Sequence, residues 1–193
     1  MKLLLIRHGD CFQEGQDPSL TKSGILQSKL LAKRLSKLSI NKVYSSDLNR
    51  AFQTFEEYHK LAIDTPFQKT ESLREIYRVL IGGAPKEGTS LNRESKDKGR
   101  IELFIKQITS MPNDETVVLF THGNLIRYFL ARLLDADPRK TGGHLEIAPS
   151  SISLIEINKD KVNINFINNT EHLTGKYSSD SYFFNNNSDT YVD

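Results

Sequence analysis

Two kinds of apolar pattern alternate along the chain: short unbroken runs, and longer stripes at helical spacing. The runs are Leu3-Leu4-Leu5-Ile6, Val43-Tyr44-Ser45-Ser46 and Glu115-Thr116-Val117-Val118-Leu119-Phe120. Each is too short for a helix. The first and third read as strands buried on both faces, as inside a parallel sheet. Between the first two runs, Ile25, Leu26, Leu30, Leu31, Leu35 and Leu38 recur at helical spacing, with Lys22, Lys29, Lys33 and Lys37 mostly opposite. That predicts an amphipathic helix packed on a sheet, with Thr21 as its N-cap. Further helices are predicted from Asp47 to about Ala62, from Lys98 to about Met111 (Ile101, Phe104, Ile105 and Ile108 on one face) and from Leu125 to Leu134. Strands alternating with helices predict an α/β domain with a mostly parallel sheet. Ser151 to Ile157 and Lys161 to Ile167 alternate apolar and polar around Asn158-Lys159-Asp160, the signature of a hairpin on the sheet edge.

The remaining stretches break both patterns. Residues 10 to 20 are polar, contain Gly15 and Pro18, and read as a loop over the end of the first strand. Asp64-Thr65-Pro66 reads as a turn. Leu73-Arg74-Glu75-Ile76-Tyr77 fits an extended or a helical segment equally. Residues 82 to 100 are glycine-rich and charged, and read as a mobile insertion that could serve as a lid. From Gly175 the chain is rich in Ser, Asn and Asp, which predicts a flexible tail over 175–193 after a domain of 1–174. Tyr182, Phe183, Phe184 and Tyr191 in that tail fit docking on the body or contact with a partner.

Length and charge narrow the function classes. The chain has 193 residues, enough for one domain with a proper core. With 26 basic and 24 acidic side chains the net charge is +2, so no nucleic-acid or membrane partner is expected and any anion preference must be local. Cys11 is the only cysteine, which excludes an intrachain disulfide and favours a reducing, cytoplasmic setting. The apolar start ends at Arg7, too early for a signal peptide, and no run approaches transmembrane length. No metal-ligand spacing is present, and no metal or other cofactor is expected.

The chemistry sits where strands end. Leu3–Ile6 runs into Arg7-His8-Gly9, and Val117–Phe120 runs into Thr121-His122-Gly123-Asn124. In one parallel sheet both histidines reach the same rim, where open α/β sheets bind ligands. Ser45-Ser46 precedes a helix whose first turn carries Arg50; a helix N-terminus there favours phosphate through its free N–H groups and dipole. Taken alone, Arg7-His8 reads equally well as a basic strand end, and Arg50 better as an exposed helix arginine. Two histidines at two strand ends favour an anion site with a nucleophile or base in it. His59, His144 and His172 read as structural or exposed, and Cys11 as a bystander. Ser46 fits a helix cap better than a site donor, and Asn124 could touch substrate.

Together these residues resemble the histidine phosphatase superfamily, also called phosphoglycerate mutase-like. Arg7-His8-Gly9, Leu20-Thr21 with Gly24 and Gln27, Ser45 to Thr54, Leu73-Arg74-Glu75, Thr121-His122-Gly123 and Asn169 to Leu173 are similar to its motifs, in order, across most of the chain. The resemblance implies a three-layer α/β/α sandwich. It implies that His8 takes the phosphoryl group, that Arg7, Arg50 and His122 bind phosphate oxygens, and that Glu75 gives the leaving group its proton. Gly9, Ser46 and Asn124 are further candidates for substrate contact. The residue types suit such chemistry: histidine splits a slow hydrolysis into two steps, and arginines hold the charge of a transferring phosphoryl group without a metal.

The expected activity is hydrolysis of a phosphomonoester, on a phosphorylated small molecule or a phosphoprotein. The insertion between Glu75 and Thr121 is modest, whereas true phosphoglycerate mutases carry a longer one, which favours hydrolysis over mutase activity. Arg7-His8-Gly9-Asp10 resembles the small phosphohistidine phosphatases. Leu73-Arg74-Glu75, together with Gly123-Asn124-Leu125-Ile126-Arg127-Tyr128, resembles the mitochondrial protein Ser/Thr phosphatases of the superfamily, although no N-terminal membrane segment is expected here. A non-catalytic module that binds phosphorylated ligands is the third reading. The presence of all five site residues weighs against it.

Overall fold

The computed structural model describes residues 1–86, 91–158 and 161–173. A six-stranded sheet takes the order β3-β2-β4-β1-β5-β6. Its strands are β1 (Lys2–Arg7), β2 (Lys42–Ser46), β3 (Phe67–Thr70), β4 (Thr116–Thr121), β5 (Ile152–Asn158) and β6 (Lys161–Asn169). The pairs β1–β4, β2–β4 and β2–β3 are parallel; β5 and β6 are added antiparallel at one edge. The helices are α1 (Lys22–Leu35), α2 (Asn49–His59), α3 (Leu91–Thr109), α4 (Gly123–Leu133) and the short α5 (Pro138–Thr141). Among the described residues no helix is long and apolar enough to cross a membrane.

The unbroken apolar runs are explained by two cores, one on each face of the sheet. Side chains alternate across a strand. Leu3 and Leu5 of β1, with Val117 and Leu119 of β4, enter the core formed with α3 and α4. Leu4 and Ile6, with Val118 and Phe120, enter the core formed with α1 and α2. Each such Leu or Ile side chain, fully buried, contributes roughly 1.5–3 kcal/mol relative to exposure. This is the three-layer α/β/α sandwich, and it turns the C-terminal ends of β1, β2 and β4 to one rim.

Four local expectations change. Helix α1 begins after Thr21, whose hydroxyl caps the Gly24 N–H, but its buried stripe is Gly24, Gln27, Ser28, Leu31, Ala32 and Leu35. Ile25, Leu26 and Leu38 are exposed by 38, 42 and 46%. The small and polar residues face inward because the backbone after β1 lies directly against this helix. Asp10 N–H donates to Gln27 Oε1 at 2.8 Å, and Ser28 Oγ donates to Gly24 O. Helix α2 starts at Asn49 and ends at His59, three residues short of Ala62. Strand β3 is largely exposed and carries one large apolar residue, Phe67, so no apolar run announced it.

The fourth change concerns residues 82–100. Leu91–Thr109 is one continuous helix, beginning seven residues before Lys98. Its N-terminal half is anchored: Asp97, 8% exposed, accepts the Tyr77 N–H at 2.9 Å and the Arg100 guanidinium at 2.9 Å. The charged residues that suggested a loop are the solvent-facing and cavity-facing sides of α3. Residues 87–90 of the expected insertion, the hairpin turn 159–160 and the expected 175–193 tail, with its aromatic residues, lie outside the described residues.

Candidate active site

The site is built from one register. Arg7 of β1 pairs with Thr121 of β4, so His8 and His122 follow at the same level on adjacent strands. The His8 N–H donates to Thr121 O at 3.0 Å, and the two ring centroids lie 5.2 Å apart. Adjacent strands are about 4.8 Å apart, so the ring contact follows directly from the pairing.

His8 is 5% exposed and His122 is fully buried. The His8 Nδ1–H donates to Gly9 O at 2.7 Å. That assigns the ring proton to Nδ1 and leaves the Nε2 lone pair as the reactive position. Arg50, in the first turn of α2, donates its Nε–H to that Nε2 at 3.2 Å. Burial first, then the Arg7 and Arg50 guanidinium charges, hold the His8 ring well below the usual histidine range; the Gly9 contact opposes this. His122 is displaced in the same direction, by burial first and then by Arg50, His8 and Arg7. Both rings are therefore neutral at neutral pH, the state a nitrogen nucleophile requires.

Each cation is positioned by its neighbours. Arg7 runs back over Gly123 and donates Nη1–H to Ile147 O at 2.6 Å; its buried Nε has no partner among the described residues. Arg50 is steered by Asp17 of the 10–20 loop, 4.0 Å from its Nη1, which also accepts the Asn49 N–H at 2.9 Å. Thr54 ties the elements together: its hydroxyl accepts the Gly9 N–H at 3.0 Å and donates to Arg50 O at 2.8 Å.

Glu75 reaches the rim from the extended stretch after a 3-10 turn at Glu71–Leu73. Its Oε1 accepts the N–H groups of Ile76 and Leu125, each at 3.0 Å, and its Oε2 accepts that of Asn124 at 3.2 Å. These three N–H groups fix the position of the Glu75 side chain at the N-terminus of α4.

A cavity of about 770 Å³ opens on this rim, and Arg7, His8, Arg50, Glu75 and Asn124 all line it. Cys11 also lines it, together with much of the 10–20 loop. His122, Ser46 and Gly9 do not. His122 packs behind the His8 ring. Ser46 is a step deeper, its Oγ 2.9 Å from His122 Nε2, and it accepts the Leu48 N–H at 3.3 Å. The serine serves both the α2 entrance and the histidine, whereas the N-cap position itself falls to Leu48, which has no side-chain cap. Gly9 is needed for close approach: a Cβ there would meet Gly24 O at 2.6 Å, and its φ is not positive. Ser46 and Gly9, expected as candidates for substrate contact, lie off the cavity lining, Ser46 against His122 and Gly9 against α1.

His144 is exposed on a 3-10 turn, and His59 stacks on Phe55 at the end of α2. His172 is half-buried, and burial, then Arg34, lowers it to about 4. None of the three joins the site. The sequence reading missed Arg74 and Arg100 on the cavity wall. Arg74 forks onto Asp47 at 2.5 and 2.8 Å, and Arg100 donates to the carbonyls of Glu71, Ser72 and Arg74. Arg74 immediately precedes Glu75, which is a signal that was available. Arg100 had none, because the carbonyls it holds, those of Glu71, Ser72 and Arg74, lie 26 to 29 residues earlier in the chain.

Compared with known proteins, residues 3–97 and 87–170 match the model of the histidine phosphatase superfamily (branch 1). Serine/threonine-protein phosphatase Pgam5, mitochondrial, of Drosophila mojavensis is 28% identical over 91% of this chain and 65% of its own length. The chain spans 43 and 65% of the length of the first two curated relatives it matches. Phosphoserine phosphatase of Entamoeba histolytica, solved with 3-phosphoglyceric acid, superposes with a TM-score of 0.71 at 24% identity, covering 90% of this chain and 99% of that one. YhfR of Bacillus stearothermophilus superposes with a TM-score of 0.74 at 22% identity, covering 89 and 98%. At these identities the superpositions establish the fold.

Proposed function

Since this chain belongs to the histidine phosphatase superfamily (branch 1), we propose that it hydrolyses phosphomonoesters through a phosphohistidine on His8, without a metal. The observation that carries this reading is the neutral His8 ring with its Nε2 lone pair free of a proton, on the wall of a cavity shared with Arg7, Arg50 and Glu75.

The His8 Nε2 lone pair attacks phosphorus. A P–N bond forms as the ester P–O bond breaks, and the departing electron pair leaves on the ester oxygen, which takes a proton from the Glu75 carboxyl. Glu75, now ionised, takes a proton from water as that water attacks phosphorus. The P–N bond breaks, its pair returns to Nε2, and inorganic phosphate is released. Arg50 turns from Nε2 to an equatorial phosphate oxygen when substrate enters, and Arg7 holds another. Such positioned cations stabilise charge spread over the transferring group. His122, whose Nδ1 has no hydrogen-bond partner among the described residues, keeps the His8 ring in place from behind.

The substrate is a phosphorylated small molecule or a phosphoprotein. Similarity to Pgam5 over 91% of the chain supports the phosphoprotein, and a lone Cys11 supports a reducing, cytoplasmic setting. The test is phosphate release from p-nitrophenyl phosphate with EDTA present, wild type against His8→Ala. Turnover lost only in the variant is the expected result. Equal turnover in both would remove His8 from its role, and isomerisation of phosphoglycerates faster than phosphate release would make the enzyme a mutase.

A further inference from the structure

Between Pro18 and Ser46 the chain carries six basic side chains, Lys22, Lys29, Lys33, Arg34, Lys37 and Lys42, and no acidic one. Over the whole chain the two signs nearly balance, 26 against 24, so this excess is local to α1 and the stretch that follows it. Lys22, Lys29, Lys33 and Lys37 are exposed. Among the described residues none of these four lysines forms an ion pair. They border apolar surface: Ile25 and Leu26 are exposed by 38 and 42%, and Leu30 is half-buried. Leu26, Leu30 and Arg34 recur every fourth residue and so form one ridge along the helix. A single exposed leucine is ordinary. An apolar ridge framed by unpaired cations fits a partner that is both apolar and acidic.

Such a segment follows directly in the chain. The last described residues are tied to this ridge: Arg34 donates Nη1–H to Asn169 Oδ1 at 2.7 Å and lies 3.6 Å from the Glu171 carboxylate. On the same sheet face as α1, the cross-strand partners Leu154 and Phe166 are only half-buried. Beyond Leu173 the sequence holds Tyr177, Tyr182, Phe183, Phe184 and Tyr191. Asp180, Asp189 and Asp193 stand there against the single Lys176, the opposite balance to α1. Extended chain from Leu173 to Phe183 reaches up to about 33 Å, whereas Arg34 to Leu26 is about 12 Å along the helix. A tether of this length gives a local concentration on the order of millimolar, so weak contacts are enough and a free partner is at a disadvantage.

We propose that the exposed face of α1 is the docking surface for the chain's own segment 174–193, bound in cis. The Tyr182-Phe183-Phe184 cluster lies on the Leu26–Leu30 ridge, and Asp180 and Asp189 face Lys29 and Lys33. The inner side of the same helix carries Gly24 and Gln27, which pack on the Gly9–Asp10 backbone next to His8. The docked segment therefore covers the outer side of the helix that backs the strand end. This contact is independent of the reaction at His8.

The chain has no tryptophan, so Phe184→Trp in the full chain supplies a single fluorescent reporter. The expected emission is blue-shifted, quenched by acrylamide several-fold less than free N-acetyltryptophanamide, and independent of protein concentration. Adding Lys29→Glu and Lys33→Glu should return it to the solvent-exposed spectrum, and adding Asp180→Lys and Asp189→Lys to those should restore the shift. Leu26→Ser should expose the reporter too, and salt should weaken the docking. Circular dichroism of the α1 variants checks that they are folded. Should one fail to fold, Asp180→Lys with Asp189→Lys alone, which leaves the described fold untouched, must still expose the reporter. A solvent-like spectrum in the parent, or a shift that survives the changes on both sides, would overturn the docking. So would a shift that grows with protein concentration, which assigns the face to a second copy, or one that arises only with phosphatidylserine vesicles, which assigns it to a membrane.

Discussion

His8 and His122 stand side by side, ring centroids 5.2 Å apart, because each is the first residue beyond the register pair Arg7–Thr121. The parallel pairing of β1 with β4 is therefore the structural event that assembles the site, and the chemistry of both rings depends on that shared burial.

The His8 ring is held below the ordinary value of 6.5 by burial, Arg7 and Arg50. A neutral nucleophile then persists into acid, and the acid limb of kcat/KM lies below pH 6.5. Removing a cation makes the protonated ring less unfavourable. Arg50→Ala should therefore move that limb to higher pH while lowering kcat/KM about 100- to 1,000-fold. A pH profile of the variant that keeps the wild-type limb would separate Arg50 from the ring.

Stability follows the same groups. His8, His122 and His172 all have folded values below 6.5. Such bases bind more protons when unfolded, so stability is fully present above pH 6.5 and falls as pH drops through that value toward the folded ones. For His172, going from 6.5 to about 4 corresponds to ~3 kcal/mol. His172→Gln should flatten the fall in Tm between pH 6.5 and 4, and an unchanged slope by thermal denaturation would assign the effect to the other two rings.

Glu75 acts on the leaving group, so its loss matters most for poor leaving groups. Glu75→Gln should slow release from an alkyl phosphate such as phosphoserine by about 100-fold or more, and from p-nitrophenyl phosphate far less. Equal losses on the two substrates would show a positioning role for this carboxylate on the α4 N-terminus.

Thr54 is buried and serves two backbone groups at once, accepting from Gly9 N–H and donating to Arg50 O. Thr54→Val keeps the shape and leaves a buried donor unsatisfied, a cost of about 1–3 kcal/mol. Chemical denaturation should show that loss, accompanied by a lower kcat because the β1 end and α2 are no longer tied.

Two glycines should respond in opposite directions to alanine. At Gly24 a Cβ would lie 1.9 Å from Asp10 O, so Gly24→Ala must push α1 off the strand end and destabilise by roughly 1–3 kcal/mol. At Gly99, within α3, a Cβ meets nothing within 4 Å, and Gly99→Ala should stabilise by about 0.5–1 kcal/mol through helix propensity alone. Thermal melts of the two variants give the comparison.

Much of the fold was legible because burial on two faces leaves an unmistakable mark. Leu3–Ile6 and Val117–Phe120 had to be strands covered on both sides, and the histidines directly after them had to reach a common rim. Strand β3 left no such mark, since a mostly exposed edge strand has no reason to be apolar. The α1 face was misread for a related reason. Near the site its inward positions are Gly24 and Ser28, which allow close approach of the Gly9–Asp10 backbone, and Gln27, which accepts the Asp10 N–H. Periodicity therefore favoured Ile25 and Leu26, which face solvent.

By itself the sequence determined the layer architecture, the strand ends that carry Arg7, His8 and His122, the helix start that carries Arg50, and, through ordered motifs, the family. These are properties of local pattern, and local pattern is written in consecutive residues. Only the tertiary structure decided that His8 lines the cavity while His122 and Ser46 lie behind it, that Asp97 pins Tyr77 to α3, and that Arg74 and Arg100 line the same cavity as the nucleophile. Those relationships join elements distant in the chain. They are set by strand register and by which buried carboxylate finds which donor, and neither is encoded in the spacing of neighbours.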